Sequence, residues 1–235
     1  VAARPLAPVA GRGLLVPAEV VGCRDVREEV EFEPVAEVEA RLDQAAFARL
    51  LAGAPECALG QPFHESDLET LVFAVIGQQI SAKAADTITL RLLERTGRPL
   101  HPGALLGLGE QGLRDLGFTR SKARTCLGVA EAIESGDLNV DALRSMSDDE
   151  AVASLSRFWG IGRWTAEMFL IFHLMRPNVL PLDDVGLING ISQSYFSGEA
   201  VSRSDAREVA AAWSPYCSVA TWYIWRSLDP VPVAY

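Results

Sequence analysis

The stretch FWGIGRWTAEMF, residues 158–169, places two glycines directly before a run with the apolar spacing of a helix. A helix is also predicted before it, over residues 147–158, so the glycines form a hairpin between two helices. The glycines let the backbone approach a partner closely, and the N-terminus of the second helix offers unpaired N–H groups and partial positive charge. On its own, the hairpin therefore fits either an ordinary corner between helices or a phosphate-binding site.

The chain from residue 43 onward has helical periodicity almost throughout, which predicts an all-α fold. Several helix ends are marked by Gly or Pro, and several starts are marked by Ser or Asp. The predicted helices cover residues 43–53, 66–79, 81–97, 103–107, 110–115, 121–136, 147–158, 163–175, a segment from 183 or 184 to about 196, 204–213 and 214–228. Capping boxes are predicted at Ser66 with Glu69 and at Ser147 with Glu150.

The composition limits the classes of function that fit the chain. Its 235 residues carry a net charge of −10, so nucleic-acid binding could not depend on an overall basic charge. The cysteines have no metal-ligand spacing, and they are Cys23, Cys57, Cys126 and Cys217. No apolar run reaches the roughly 18 residues of a membrane span, and Pro and Gly interrupt residues 1–16 where a signal peptide needs an apolar core. We therefore expect an intracellular, cytoplasmic protein.

Two further stretches accompany the hairpin: VIGQQISAKAA (75–85) precedes it and LPLDDVGL (180–187) follows it. Together the three stretches resemble the helix-hairpin-helix (HhH-GPD) DNA glycosylases and, within them, the 3-methyladenine DNA glycosylase II (AlkA-type) family. The resemblance covers roughly residues 60–228 and includes the separation between Gly162 and Asp184. It implies hydrolysis of the N-glycosidic bond of alkylated bases, of the 3-methyladenine and 7-methylguanine type, with base flipping. The product would be an abasic site in base excision repair.

The resemblance also implies the organisation of the chain. It implies a two-lobed helical fold with a cleft between the lobes, within a glycosylase domain over residues 43–235. One lobe would cover 68–182 and include the hairpin, and the other would combine 43–67 with 183–235. Residues 1–42 are predicted to form an N-terminal arm or a small β element. The expected partner is double-stranded DNA containing alkylated bases, bound by a monomer that associates with the nucleoid.

The resemblance assigns the catalytic role to Asp184, since an ionised carboxylate can stabilise positive charge on the deoxyribose and orient a water. Alkylated bases already carry positive charge and leave without a general acid. Asp183 is predicted to be the N-cap of the following helix. Trp164 occupies the position of the Schiff-base lysine of the bifunctional relatives, so a lyase would lack its nucleophile. Its indole is suited to stacking on a flipped cationic base, in a pocket also lined by Met168 and Trp225.

The turn GQQIS (77–81) is expected to enter the minor groove, with Gln79 filling the gap left by the extruded base. The residues assigned to DNA contact are Gln78, Gln79, Ser81, Lys83, Arg120, Lys122, Gly160, Gly162, Arg163 and Thr165. Arg124 lies with Arg120 and Lys122 in GFTRSKAR (117–124), a second candidate phosphate anchor. The backbone carbonyls of Ser156, Phe158 and Gly160 are a candidate site for Na⁺ or K⁺, and no other cofactor is expected.

Other interpretations remain open at this point. Trp164 and Trp225 could be core residues, Gln78 and Gln79 could simply tie a helix junction, and both aspartates could cap a solvated helix end. At the level of function, the alternatives are a glycosylase/lyase for oxidised bases, a non-catalytic module that binds damaged DNA, and a helical interaction domain. Borohydride trapping and salt-sensitive DNA binding distinguish them.

Overall fold

The computed structural model describes residues 57, 59 and 66–228, and within these ranges every regular element is a helix. The all-α prediction is confirmed. The helices are α1 (Asp67–Gly77), α2 (Ala82–Thr96), α3 (Pro102–Asp115), α4 (Arg120–Ser135), α5 (Val140–Arg144), α6 (Asp148–Leu155), α7 (Arg163–Phe172), α8 (Val185–Tyr195), α9 (Arg203–Ala210, continued by a 3₁₀ turn Ala211–Trp213) and α10 (Cys217–Leu228). None of these described helices is long and apolar enough to cross a membrane. The predicted arm (1–42) and the helix predicted over 43–53 lie outside the described residues.

Most helices begin at a side chain that accepts a hydrogen bond from an N–H group of the first turn, as short polar residues do at N-caps. The caps are Ser66, Ser81, Thr119, Asn139, Ser147, Asp184 and Ser202. The capping box between Ser147 and Glu150 is confirmed. Ser66 caps α1 as predicted, but the side chain of Glu69 is buried and its Oε1 accepts the N–H of Leu100 at 2.9 Å.

Some predicted helix boundaries differ from those in the structure. The segments 103–107 and 110–115 belong to one element, α3, which is kinked where Gly109 has a φ of 62°. The five-residue helix α5 was not predicted, because it is too short to show a periodic pattern. Helix α7 ends at Phe172 instead of residue 175, and α10 begins at Cys217, after the 3₁₀ turn and a bend that carry the chain round from α9.

The helices pack into two groups that share one hydrophobic core. In the first group, α1 is central and packs against α2, α4 and α7, while α3 packs on α4 and α6 packs on α7. In the second group, α8 packs against α10, and their backbones are so close that a Cβ at Gly190 would overlap Cγ2 of Ile224. Ser218, near the start of α10, receives a hydrogen bond from Val179 N at 3.0 Å and donates one to Arg176 O at 2.6 Å. These bonds fix the connection between α7 and α8.

Candidate functional site

Asp184 lies where α7, α8 and α10 meet. Its side chain is only 8% exposed, and the carboxylate accepts three hydrogen bonds. Oδ1 accepts from Leu187 N at 2.6 Å and from Trp225 Nε1 at 2.8 Å, and Oδ2 accepts from Trp164 Nε1 at 2.8 Å. A buried carboxylate needs such donors to replace the water it has lost. The structure therefore brings together Asp184, Trp164 and Trp225, three of the four residues to which the sequence assigned catalysis and base binding.

The prediction that Asp183 caps the helix is wrong. Asp184 is the N-cap of α8, and Asp183 is exposed and forms an ion pair with Arg203 at 2.7 Å. Either aspartate could cap the helix. When Asp184 is the cap, its carboxylate also faces the indoles of Trp164 and Trp225. Capping thus fixes the orientation of the carboxylate, since the helix N–H group holds Oδ1 in place.

Gly186 was not singled out from the sequence, although the structure shows why a glycine is needed there. A Cβ at this position would lie 3.0 Å from Asp184 Oδ1 and 3.2 Å from Trp225 Cδ1. The missing side chain gives the indole of Trp225 room to reach the carboxylate. The sequence signal was a glycine in the first turn of a predicted helix, where helix propensity alone disfavours it.

The two tryptophans and Met168 have different surroundings. Trp164 and Trp225 are each half-buried, and Trp225 stacks on Phe172 with ring centroids 5.8 Å apart. Met168 is 1% exposed and belongs to the hydrophobic core. The side chain of Met168 is thus not exposed in this structure, and its assignment to the base pocket stays a prediction. The cause of this burial is that other parts of the protein cover α7 after its first two residues, so every residue from Thr165 to Phe172 is buried.

The hairpin has the backbone geometry that a phosphate site requires. Gly160 has a φ of 84°, and a Cβ there would overlap the side chain of Thr125, so only glycine fits. Gly162 is the N-cap of α7 and supplies no side-chain hydrogen bond, which leaves N–H groups of the first turn without a cap. A Cβ at Gly162 would meet nothing within 4 Å, so this helix end is open to a ligand.

The turn GQQIS (77–81), here called the glutamine turn, is connected to the hairpin by hydrogen bonds. Nε2 of Gln78 donates to Gly160 O at 3.2 Å and to Thr165 Oγ1 at 2.9 Å. Nζ of Lys122 donates to the carbonyls of Ile76 and Gln78, both at 2.7 Å, and burial lowers its pKa. The side chains of Gln78, Lys122 and the buried Thr165 thus form contacts within the protein, and the DNA contacts assigned to them stay predictions. Gln79, by contrast, is exposed at the tip of the turn with a φ of 56°.

Two of the predicted phosphate-binding arginines are paired with acidic side chains. Arg120 Nε lies 2.9 Å from Glu110 Oε1. Arg163 lies 2.8 Å from Glu167 and 3.4 Å from Asp149. A phosphate would have to compete with these carboxylates for both guanidinium groups.

The remaining predicted contacts, Ser81 and Lys83, lie exposed beside the glutamine turn. The hydroxyl of Ser81 caps α2 through Ala84 N at 3.4 Å. Both stay predictions as DNA contacts, as does Gln79. Their exposure leaves them accessible to a duplex bound across the turn.

Glu167 is an ionisable group that the sequence analysis missed. It is 2% exposed, and its Oε2 has no hydrogen-bond partner among the described residues. Burial raises its pKa to about 7, the neighbouring Arg163 opposes the increase, and the carboxylates of Asp183 and Asp149 add to it. The spacing of Arg163 and Glu167, one helical turn apart, was the signal in the sequence that could have indicated this pair.

The candidate Na⁺ or K⁺ site stays a prediction. Phe158 O accepts the N–H of Ile161 at 3.0 Å, and Gly160 O accepts the amide of Gln78. Each carbonyl keeps a second lone pair that could bind a cation. The part of the chain that the structure describes contains no group of three or more His, Cys, Asp or Glu side chains suited to a metal ion.

Comparisons with known proteins show the family to which the chain belongs. Residues 72–215 match the family model of the HhH-GPD superfamily base excision DNA repair protein. The DNA-3-methyladenine glycosylase of Bacillus subtilis is 29% identical over 171 residues, which cover 68% of this chain and 56% of that protein. The chain thus spans little more than half the length of this relative.

Two solved structures have the same fold. The 3-methyladenine DNA glycosylase of Archaeoglobus fulgidus aligns with a TM-score of 0.73 and 28% identity, covering 81% of this chain and 68% of that one. The Schizosaccharomyces pombe 3-methyladenine DNA glycosylase Mag1, solved in complex with abasic DNA, also aligns with a TM-score of 0.73. It is 25% identical, and the alignment covers 85% of this chain and 99% of that one.

Proposed function

The chain belongs to the HhH-GPD superfamily of base excision DNA repair proteins, and on this premise we propose that it is a monofunctional DNA glycosylase for alkylated bases. It would act on double-stranded DNA as a type II (AlkA-like) 3-methyladenine glycosylase. The observation that carries this proposal is the Asp184 carboxylate, held between two indoles by three hydrogen bonds. The names of the similar glycosylases support the class of lesion.

In the proposed reaction the bond between C1′ and the base nitrogen breaks, and the base leaves with the bonding electrons. An N-alkylated purine is already cationic, so it departs neutral and needs no general acid. Positive charge develops on the deoxyribose, and the negative charge of Asp184 stabilises it. A water oriented by the same carboxylate then bonds to C1′ and loses its proton, which completes the hydrolysis.

The two indoles would contribute in two ways. Their N–H groups hold both oxygens of the carboxylate, which keeps Asp184 in one orientation during the reaction. Both tryptophans are half-buried, so part of each ring remains available to a flipped base. The negative face of an indole attracts a cationic base more strongly than a neutral one, which would favour alkylated bases over normal ones.

The hairpin and the glutamine turn would hold the duplex. The uncapped N–H groups after Gly162 offer a phosphate site that needs no basic side chain, which suits a chain of net charge −10. Gln79, at the exposed tip of the turn, would fill the gap left by the flipped base. A monovalent cation on the hairpin carbonyls would add to phosphate binding.

The experiment that tests the proposal measures the bases released from duplex DNA treated with a methylating agent. We expect 3-methyladenine and 7-methylguanine in the soluble fraction, together with abasic sites in the DNA. Oxidised duplex and untreated duplex serve as controls and should release no base above background. Absence of release from methylated DNA by a folded protein that binds the duplex would refute the proposal.

A further inference from the structure

Trp159, in the hairpin itself, is a large aromatic side chain that is 53% exposed. Nothing in the helical core requires it there, because the buried apolar position of the hairpin is Ile161. The guanidinium of Arg124 lies over its ring, with Cζ 4.5 Å from the ring centroid. Stacking of this kind holds an arginine in place without removing its charge, and it leaves the donors at the edge of the guanidinium free.

Arg124 differs in its electrostatic surroundings from Arg120 and Arg163, the two arginines that were assigned to phosphate contacts. Arg120 and Arg163 are each paired with a carboxylate. Within residues 66–228, no carboxylate forms an ion pair with Arg124, whose side chain is exposed. Its positive charge is therefore available to an anion without a competing partner.

The position of Arg124 relative to the phosphate-binding backbone is fixed by the next residue. Thr125 is buried and packs so closely on Gly160 that a side chain at 160 would overlap it. Helix α4 is thus docked against the hairpin at the residue following Arg124. The stack with Trp159 then holds the guanidinium of Arg124 against the hairpin.

A cavity of about 380 Å³ opens beside the stack, and both Arg124 and Trp159 line it. Glu110 and Glu131 line it as well, so the cavity itself would repel an anion. The site for an anion is therefore the outer edge of the guanidinium and not the cavity.

From these contacts we propose that Arg124 binds a DNA phosphate next to the one held by the hairpin backbone, and that Trp159 is the residue that positions it. The proposal rests on the proposed function and adds a positively charged side chain beside the phosphate site of the hairpin backbone. It would account for how a chain of net charge −10 binds DNA although Arg120 and Arg163 are paired with carboxylates.

The test measures the dissociation constant for a duplex containing a stable abasic-site analogue at several salt concentrations. Each phosphate contact through a cation adds about one to the slope of log K against log salt concentration. We expect R124Q to lower this slope by about one and W159L to lower it by a similar amount. W159F should keep the slope, and R124Q with W159L together should lower it no further than R124Q alone.

Arg157 provides the matched control, since it is a second exposed arginine that lies near an aromatic ring, 5.7 Å from the centroid of Phe158. R157Q should leave the slope unchanged, and thermal unfolding of every variant shows whether it is folded. An unchanged slope in R124Q, or an equal loss in R157Q, would overturn the inference.

The failures of this inference and of the proposed function have different signatures. Base release by the wild type with an unchanged slope in R124Q refutes only the role of Arg124. A reduced slope in R124Q without base release by the wild type refutes only the proposed glycosylase. A wild-type protein that does not bind the duplex at all overturns both.

Discussion

Replacing Gly186 by alanine tests whether the contact between Trp225 and Asp184 matters for activity. The added Cβ would lie 3.0 Å from Asp184 Oδ1 and 3.2 Å from Trp225 Cδ1, which is closer than ordinary van der Waals contact. The carboxylate or the indole must therefore move by a few tenths of an ångström. The hydrogen bond of 2.8 Å between Trp225 Nε1 and Asp184 Oδ1 would be strained or broken by this movement.

The expected effect on stability is small because two contributions oppose each other. A hydrogen bond to a charged group contributes about 1.5–3 kcal/mol to stability when it is fully lost. Alanine is favoured over glycine inside a helix by up to about 1 kcal/mol. We therefore expect G186A to be destabilised by no more than about 2 kcal/mol. A displaced carboxylate should nevertheless slow base release by about 10- to 100-fold.

Single-turnover release of methylated purines, measured beside thermal unfolding, separates these two effects. G107A is the matched control, because Gly107 also lies inside a helix and a Cβ there would meet nothing within 4 Å. G107A should keep the wild-type rate. If G186A releases bases as fast as G107A does, the close contact has no role in catalysis and the reasoning fails.

Three further outcomes are expected. Glu167 has a pKa raised to about 7 by burial, so the folded state holds its proton more tightly than the unfolded state. The free energy of unfolding should therefore fall as pH rises from about 4.5 to 7, by up to about 3 kcal/mol, and E167Q should flatten this fall in urea titrations. G160A should lower the free energy of unfolding by at least about 2 kcal/mol and remove most of the affinity for DNA, because a side chain there overlaps Thr125 and the φ of 84° disfavours alanine. A free energy of unfolding equal to that of the wild type would contradict this. Borohydride should trap no covalent complex with DNA, since Trp164 stands where a lyase needs lysine, and a trapped band would indicate a lyase.

The helices and the hairpin could be predicted from the sequence because local signals determine them. Ser147 and Glu150 form their capping box within one turn, and Gly160 marks the hairpin through its φ of 84°. The choice between Asp183 and Asp184 as the N-cap could not be made in this way. Both residue types can cap a helix. What distinguishes Asp184 is the hydrogen bond it accepts from Trp225, which lies 41 residues further along the chain.

The roles of basic residues were hardest to predict. Lys122 binds carbonyls of Ile76 and Gln78, 46 and 44 residues away, and such long-range pairings leave no pattern in the sequence. The burial of Met168 likewise depends on helices that pack around α7 from distant parts of the chain. Local periodicity indicates which face of a helix is apolar but does not indicate whether that face lines a pocket or the core.

The central claim is that the charge of Asp184 drives base release. D184N tests it most directly, because asparagine is as good an N-cap as aspartate and can keep the bond to Leu187 N while the negative charge is lost. The rate of methylated-purine release under single-turnover conditions should fall by at least about 100-fold, with affinity for abasic duplex close to wild type. Stability should fall by about 1–3 kcal/mol, because the asparagine amide cannot accept the N–H of Trp164. Release by D184N within twofold of the wild-type rate would contradict the account.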